Sequence, residues 1–278
     1  MTSSFMSKEA YRRSCEQAAA CEAATLGLRF VPTFSHITAL RYQGVQVPED
    51  CTLRSDVLHL SFDRKKDRRH PHGTQSHYWS GNFEVTLDSG GGYFVTNPAM
   101  TWAQMAAHVN VESLAVIAGS LTCRNPERKL MTLDDLARYV AVNRRFYGRK
   151  RCMEILPYLM ENSDSPPESV LVVLVMRAGF GRPETNFRID MPAGGYRLAD
   201  IAYPDLQLAI EYQGAYHADL LQMRADAGRW NQLRLLGWEI VFVTADDLRT
   251  SAARQKILET IRILMERQKA LRGFSGVL

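Results

Sequence analysis

Residues 198–217 read LADIAYPDLQLAIEYQGAYH, and two acidic residues, Asp200 and Glu211, stand inside what is otherwise the pattern of buried strand. Residues 198–203 and 206–213 are rich in β-branched, aromatic and aliphatic side chains, and Pro204-Asp205 between them is a turn signal. The stretch therefore predicts a β-hairpin. A type I turn over residues 203–206 gives the simplest pairing, with Asp200 opposite Ala209, Glu211 diagonal to it, and Gln213 further along the same face. Leu206, Leu208, Ile210 and Tyr212 take the other face. Two carboxylates and an amide then converge beside a small residue, within about 8 Å by strand geometry, which leaves room for a hydrated divalent cation. A three-residue loop would reverse the parity and scatter the cluster.

Working outward, 278 residues exceed the usual single domain, so two are expected, 1–162 and 163–278. The polar, proline-rich run ENSDSPP at 161–167 is the linker candidate. With 46% apolar and 23% charged residues the chain has a globular composition, which argues against long disorder. The longest apolar run, Val170 to Met176, is too short to cross a bilayer, and residues 1–9 lack the apolar core of a signal peptide. A cytoplasmic protein with no membrane partner is expected. Five scattered cysteines make neither a disulfide frame nor a zinc-ligand spacing and are expected to be reduced and mostly buried.

A net charge of +4 says little about partners, so its distribution matters more. One basic run holds Arg64, Lys65, Lys66, Arg68 and Arg69 and is broken by Pro71. A second holds Arg144, Arg145, Arg149 and Lys150 and interleaves Phe146 and Tyr147. A single charge run reads most simply as solvated surface. Two such runs in a chain with an acidic hairpin become candidate phosphate contacts.

The first half reads as a small α+β region followed by a helical run. Helices are expected over 8–28, 36–42, 97–108, 111–121, 132–142 and 149–160, with strands at 58–62, 83–87 and 93–96. The two strands 58–62 and 83–87 are expected to flank the first basic run. Histidines 59, 70, 72, 77 and 108 never fall at ligand spacing on one helix face, so they read as surface or hydrogen-bonded structural residues.

In the second half, Ser165-Pro-Pro-Glu168 opens an apolar helix at 169–178. Ser-x-x-Glu is a capping box, so Glu168 either bonds back to the Ser165 amide or leans over the sheet to join Asp200 and Glu211. A strand at 185–191, the hairpin, a helix at 219–236, the strand 238–244 and a terminal helix complete the order. The 219–236 helix is long enough to join parallel strands, which gives a mixed sheet covered on both faces.

That order, with Asp on the second strand and Glu-x-Gln on the third, resembles the PD-(D/E)XK nuclease superfamily, the restriction-endonuclease-like fold. More narrowly, Ser-Pro-Pro-Glu168, Ala199-Asp200-Ile201-Ala202-Tyr203-Pro204, Ala209-Ile210-Glu211-Tyr212-Gln213-Gly214-x-x-His217, Asp226-x-x-Arg229 and Leu-Gly-Trp238 are similar to bacterial domains related to very-short-patch-repair (Vsr) endonucleases. The likeness covers roughly residues 163–250. Upstream, Ser35-His36-Ile37-Thr38-Ala39-Leu40 and Val95-Thr96-Asn97-Pro98-Ala99-Met100-Thr101-Trp102 resemble segments of actinobacterial proteins related to the abortive-infection antitoxin AbiEi. The winged-helix segment usual at the start of those chains is not evident.

The resemblance implies an α/β protein: a C-terminal restriction-endonuclease-like mixed sheet flanked by helices, preceded by a smaller α+β domain with a helical run. It implies a metal-dependent endonuclease acting on DNA in defence, repair or a toxin-antitoxin pair, with Mg2+ or Mn2+ held by Asp200, Glu211 and Glu168. Gln213 stands where the superfamily pattern has Lys; an amide can orient water but takes no proton. His217 is a candidate general base or phosphate-binding cation, and Arg229 a candidate phosphate contact. The competing reading is a DNA-binding or antitoxin-like regulator on a weakened nuclease core, and a homodimer is the further partner expectation. In a third reading the acids pair with arginines in a purely structural network.

Overall fold

The computed structural model describes residues 2–192, 194–214 and 230–273. The chain is mixed α/β, with two mixed sheets in two compact units, residues 1–164 and 165–278.

In the first unit, helix α1 (Thr2–Leu26) is followed by β1 (Thr33–Phe34), α2 (His36–Tyr42), β2 (Leu58–Phe62), β3 (Thr74–Tyr78), β4 (Val85–Asp88) and β5 (Tyr93–Thr96). The sheet order is β3-β2-β1-β5-β4. Phe34, Leu60, Tyr93 and Val95 bury against Cys21 of α1 and Ala39 of α2. The helices α3 (Pro98–Met105), α4 (Val111–Leu121), α5 (Leu133–Val142) and α6 (Arg149–Ile155) follow. Local chemistry sets their starts: Asn97 accepts the Met100 N–H with Pro98 in the first turn, and Thr132 and Asp135 form a capping box.

Two of these strands escape the sequence pattern. β1 has only two residues, and β3, TQSHY, is an edge strand of half-buried polar residues with no apolar alternation. It is β3, and not the strand expected at 83–87, that closes the first basic run. β2 and β3 pair in parallel, so residues 63–73 are their crossover, with only a 3-10 turn at Lys65–Asp67.

The second unit runs from α7 (Pro166–Arg177) through β6 (Glu184–Asp190), β7 (Tyr196–Tyr203), β8 (Leu208–Gln213) and β9 (Glu239–Thr244) to the helices Ala245–Arg249 and Ser251–Leu271. The order is β6-β7-β8-β9, antiparallel except for the parallel pair β8 and β9. Most of the helix expected at 219–236 lies outside the described residues. Its end, 230–235, is helical and buries Trp230 and Leu233 against Ala202, Ala209 and Ile240. The terminal helical region breaks at Thr250, whose hydroxyl caps the second helix by accepting the Ala253 N–H.

The hairpin register differs from the expected one. Tyr203 pairs with Leu208, Ala202 with Ala209 and Ile201 with Ile210, leaving a four-residue loop. Pro204–Leu206 is a 3-10 turn with Leu206 buried, and Gln207 closes it in the left-handed region at φ 46°. Its side-chain carbonyl accepts a hydrogen bond from Arg272. Continuing the register places Asp200 opposite Glu211 and not Ala209. A shift of two residues keeps parity, so the acids stay on one face and come one step closer.

Candidate active site

Asp200 sits where β7 leaves regular pairing. Its neighbours Phe187↔Ala199 and Thr185↔Ile201 are registered with β6, and between them Asn186 adopts φ 49°. The register with β8 begins at Ile201. The register with β6 is the same on both sides of this gap, so the Asn186–Asp200 pair is missing without any inserted residue and alternation carries through it. The half-buried Asp200 carboxylate then accepts the Tyr212 N–H through Oδ2 at 2.8 Å.

Glu211, on β8, is 9% exposed, and its Oε1 is buried with no hydrogen-bond partner. Burial, then the Asp200 carboxylate, raises its pKa well above the ordinary carboxylate value; Arg197 and the Asp200 backbone oppose this, and Glu168 adds to it. Ala202 and Ala209, paired with each other further along the ladder, are fully buried in the core cluster with Trp230, Leu233 and Ile240. Arg197 lies over the Trp230 ring at 3.7 Å, so part of its charge is engaged with the aromatic face.

Glu168 is 7% exposed, in the first turn of α7. The Ser165 hydroxyl donates to Glu168 Oε1 at 2.6 Å and makes no cap bond to the helix backbone. Gln213 ends β8, exposed, on the same side as Glu211 by strand alternation. His217, Asp226 and Arg229 lie outside the described residues.

A divalent ion fits this pair in its chemistry. Two neighbouring carboxylates, one with a buried unpartnered oxygen, are an arrangement that a cation balances, and Mg2+ commonly takes one or two carboxylates and keeps its waters. Among the described residues no three His, Cys, Asp or Glu side chains stand together as a finished metal cage. The fit is therefore to a two-carboxylate, water-rich site.

In the first unit, Arg64, Lys65, Lys66, Arg68 and Arg69 are exposed on the β2–β3 crossover, with Lys65 5.3 Å from the Tyr78 ring. Arg144, Arg145 and Lys150 are exposed as well. Phe146 is a core residue packed on Trp79 at 5.1 Å, and the Ser80 hydroxyl donates to the Arg145 carbonyl at 3.1 Å. Both basic runs thus border residues 78–80. Arg149 differs from its neighbours: it is half-buried and bonds the Asn143 carbonyl at 3.0 Å, a structural role.

The sequence reading missed a cluster of four histidines. His36 stacks on His77 at 3.9 Å between ring centroids, His59 lies 5.1 Å from His77, and His108 lies 5.6 Å from His36. Their pKa values are all lowered, chiefly by burial, and that of His77 falls to about 3. They come from α2, β2, β3 and the residues after α3, so no local spacing announces them.

The chain is 30% identical over 165 residues to the uncharacterized protein Rv2248 of Mycobacterium tuberculosis strain H37Rv, and equally to the uncharacterized protein MT2308 of strain CDC 1551. Each match covers 59% of this chain, and the chain spans 59% of the length of each relative. No family model and no solved structure matches. Among the described residues no helix is long and apolar enough to cross a membrane.

Proposed function

We propose that the chain is a metal-dependent endonuclease that hydrolyses DNA phosphodiester bonds, with a restriction-endonuclease-like, Vsr-like second unit. The observation that carries the proposal is Glu211: a buried carboxylate with one unpartnered oxygen, set opposite the Asp200 carboxylate. Asp200 is held in place by the Tyr212 amide, which donates to its Oδ2. Asp200 and Glu211 would hold the ion, with Glu168 behind them, oriented by Ser165. Bound Mg2+ would polarise the scissile phosphate and make water a stronger nucleophile at neutral pH. The exposed Gln213 amide can orient that water through its carbonyl but cannot take its proton. The exposed cations of the two basic runs supply sequence-independent attraction to a polyanion.

Gln213, in the position the superfamily gives to Lys, supports the second reading, a DNA-binding or antitoxin-like regulator whose catalytic power has declined. Plasmid cleavage separates the two. Mg2+- or Mn2+-dependent nicking by the wild type that Asp200→Ala abolishes is the expected result. Equal trace nicking by both chains, with DNA binding unchanged by EDTA, would replace the nuclease by the regulator.

A further inference from the structure

The four histidines of the first unit gather in one cluster. His59 is fully buried, and its Nε2 lies 2.9 Å from the Arg54 carbonyl oxygen. A carbonyl can only accept, so Nε2 carries the proton and the neutral ring presents its Nδ1 lone pair. That lone pair faces His77 Nε2 at 2.8 Å, which makes His77 the donor of the bond between the rings. One nitrogen anchored on a backbone carbonyl and the other offered as a lone pair is the outer arrangement that metal-ligating imidazoles keep. His36 is held differently, with Nδ1 2.9 Å from the Ser35 hydroxyl, which can donate or accept, and its backbone N–H on Gln104 Oε1 at 3.2 Å. His36 also sits at φ 53°, a left-handed conformation that a non-glycine residue holds only when its surroundings impose it.

Two imidazoles sharing one tetrahedral zinc ion at about 2.0–2.1 Å per bond keep their donor nitrogens about 3.3–3.4 Å apart. The His59–His77 separation of 2.8 Å is about half an ångström short of that, a gap that small ring movements close. As the rings lie, the place between the two nitrogens is taken by the hydrogen-bonded proton, His108 Nδ1 lies 3.4 Å from the Thr52 hydroxyl, and no three of the rings are arranged to hold a metal, so binding requires the rings to turn.

We propose that His36, His59, His77 and His108 bind a borderline divalent metal ion, zinc by the chemistry of its donors, with His59 Nδ1 and His77 Nε2 as the first two ligands. His77 changes tautomer on binding, its proton moving from Nε2 to Nδ1, and His36 and His108 complete the shell by turning their rings.

The test uses the full chain carrying Asp200→Asn and Glu211→Gln, so that the acidic pair does not contribute. Isothermal titration with Zn2+ is expected to show one saturable equivalent, and Co2+ to give the visible absorption of a tetrahedral nitrogen site. Adding His77→Gln is expected to weaken Zn2+ binding at least tenfold, with circular dichroism confirming the fold. Should that variant unfold, His108→Gln is to lose the thermal shift that Zn2+ otherwise produces. No saturable Zn2+ binding, or binding indifferent to the histidine substitutions, would overturn the proposal. Neither result bears on DNA cleavage, which is measured on the chain with its acids intact.

Discussion

Replacing Glu211 by glutamine exchanges a buried carboxylate for a neutral group of the same shape, and the structure gives the sign of the effect. The folded-state pKa of Glu211 is raised, so between the unfolded value near 4.5 and the folded value the folded chain binds the extra proton. Stability contributed by this group therefore falls as pH rises through that window. The penalty is complete above the folded value and absent below about 4.5. With Oε1 unpartnered, the cost at neutral pH is that of an unsatisfied buried polar group, about 1–3 kcal/mol, and more where its charge is retained. The glutamine amide can instead donate to Asp200. In EDTA at pH 7.5, Glu211→Gln is expected to raise the melting temperature of the second unit by roughly 4–12 °C. The part of the gain linked to the raised pKa is expected to vanish near pH 4. Saturating Mg2+ offsets the gain, since an ion at a hundred times its Kd stabilises the wild type by about 2.7 kcal/mol and has lost a ligand in the variant. Thermal denaturation across pH, with and without Mg2+, reads all of this. A Glu211→Gln chain no more stable than wild type at pH 7.5 in EDTA would refute the reasoning.

Three further outcomes are expected. Gln213→Lys, which places a cation where the superfamily pattern has one, is expected to raise Mg2+-dependent plasmid nicking at least about tenfold, read by gel densitometry. Replacing Lys65, Lys66, Arg68 and Arg69 by alanine should weaken binding to all duplex sequences alike. It should also flatten the slope of log affinity against log salt by up to about 3.6, at roughly 0.9 for each phosphate no longer neutralised. A thiol reagent should label the exposed Cys15 of the native chain first, while Cys21 and Cys152, pushed up to about 12 by burial, react only on unfolding.

The acidic hairpin was legible because strand alternation carries parity, and parity decides which side chains share a face. Its register was not, since the chain does not announce that Pro204 would open a four-residue loop closed by a left-handed Gln207. That error was harmless because it was even. Apolar alternation located β2 and β5 but passed over β3, whose polar TQSHY sits at a sheet edge. The second basic run mixed two kinds of residue that sequence cannot separate, the exposed Arg144 and Arg145 and the inward-bonded Arg149. The histidine cluster lay furthest from reach, because His36, His59, His77 and His108 meet only through sheet pairing and helix packing. A search for ligand spacing within one helix could not find it.

The central claim is that Asp200 and Glu211 share one divalent ion, and anomalous diffraction from crystals soaked in Mn2+ addresses it directly. The expected result is a peak about 2.0–2.4 Å from an Asp200 carboxylate oxygen and from Glu211 Oε1. Clear density for both side chains at saturating Mn2+, with no anomalous peak between them, would contradict the account.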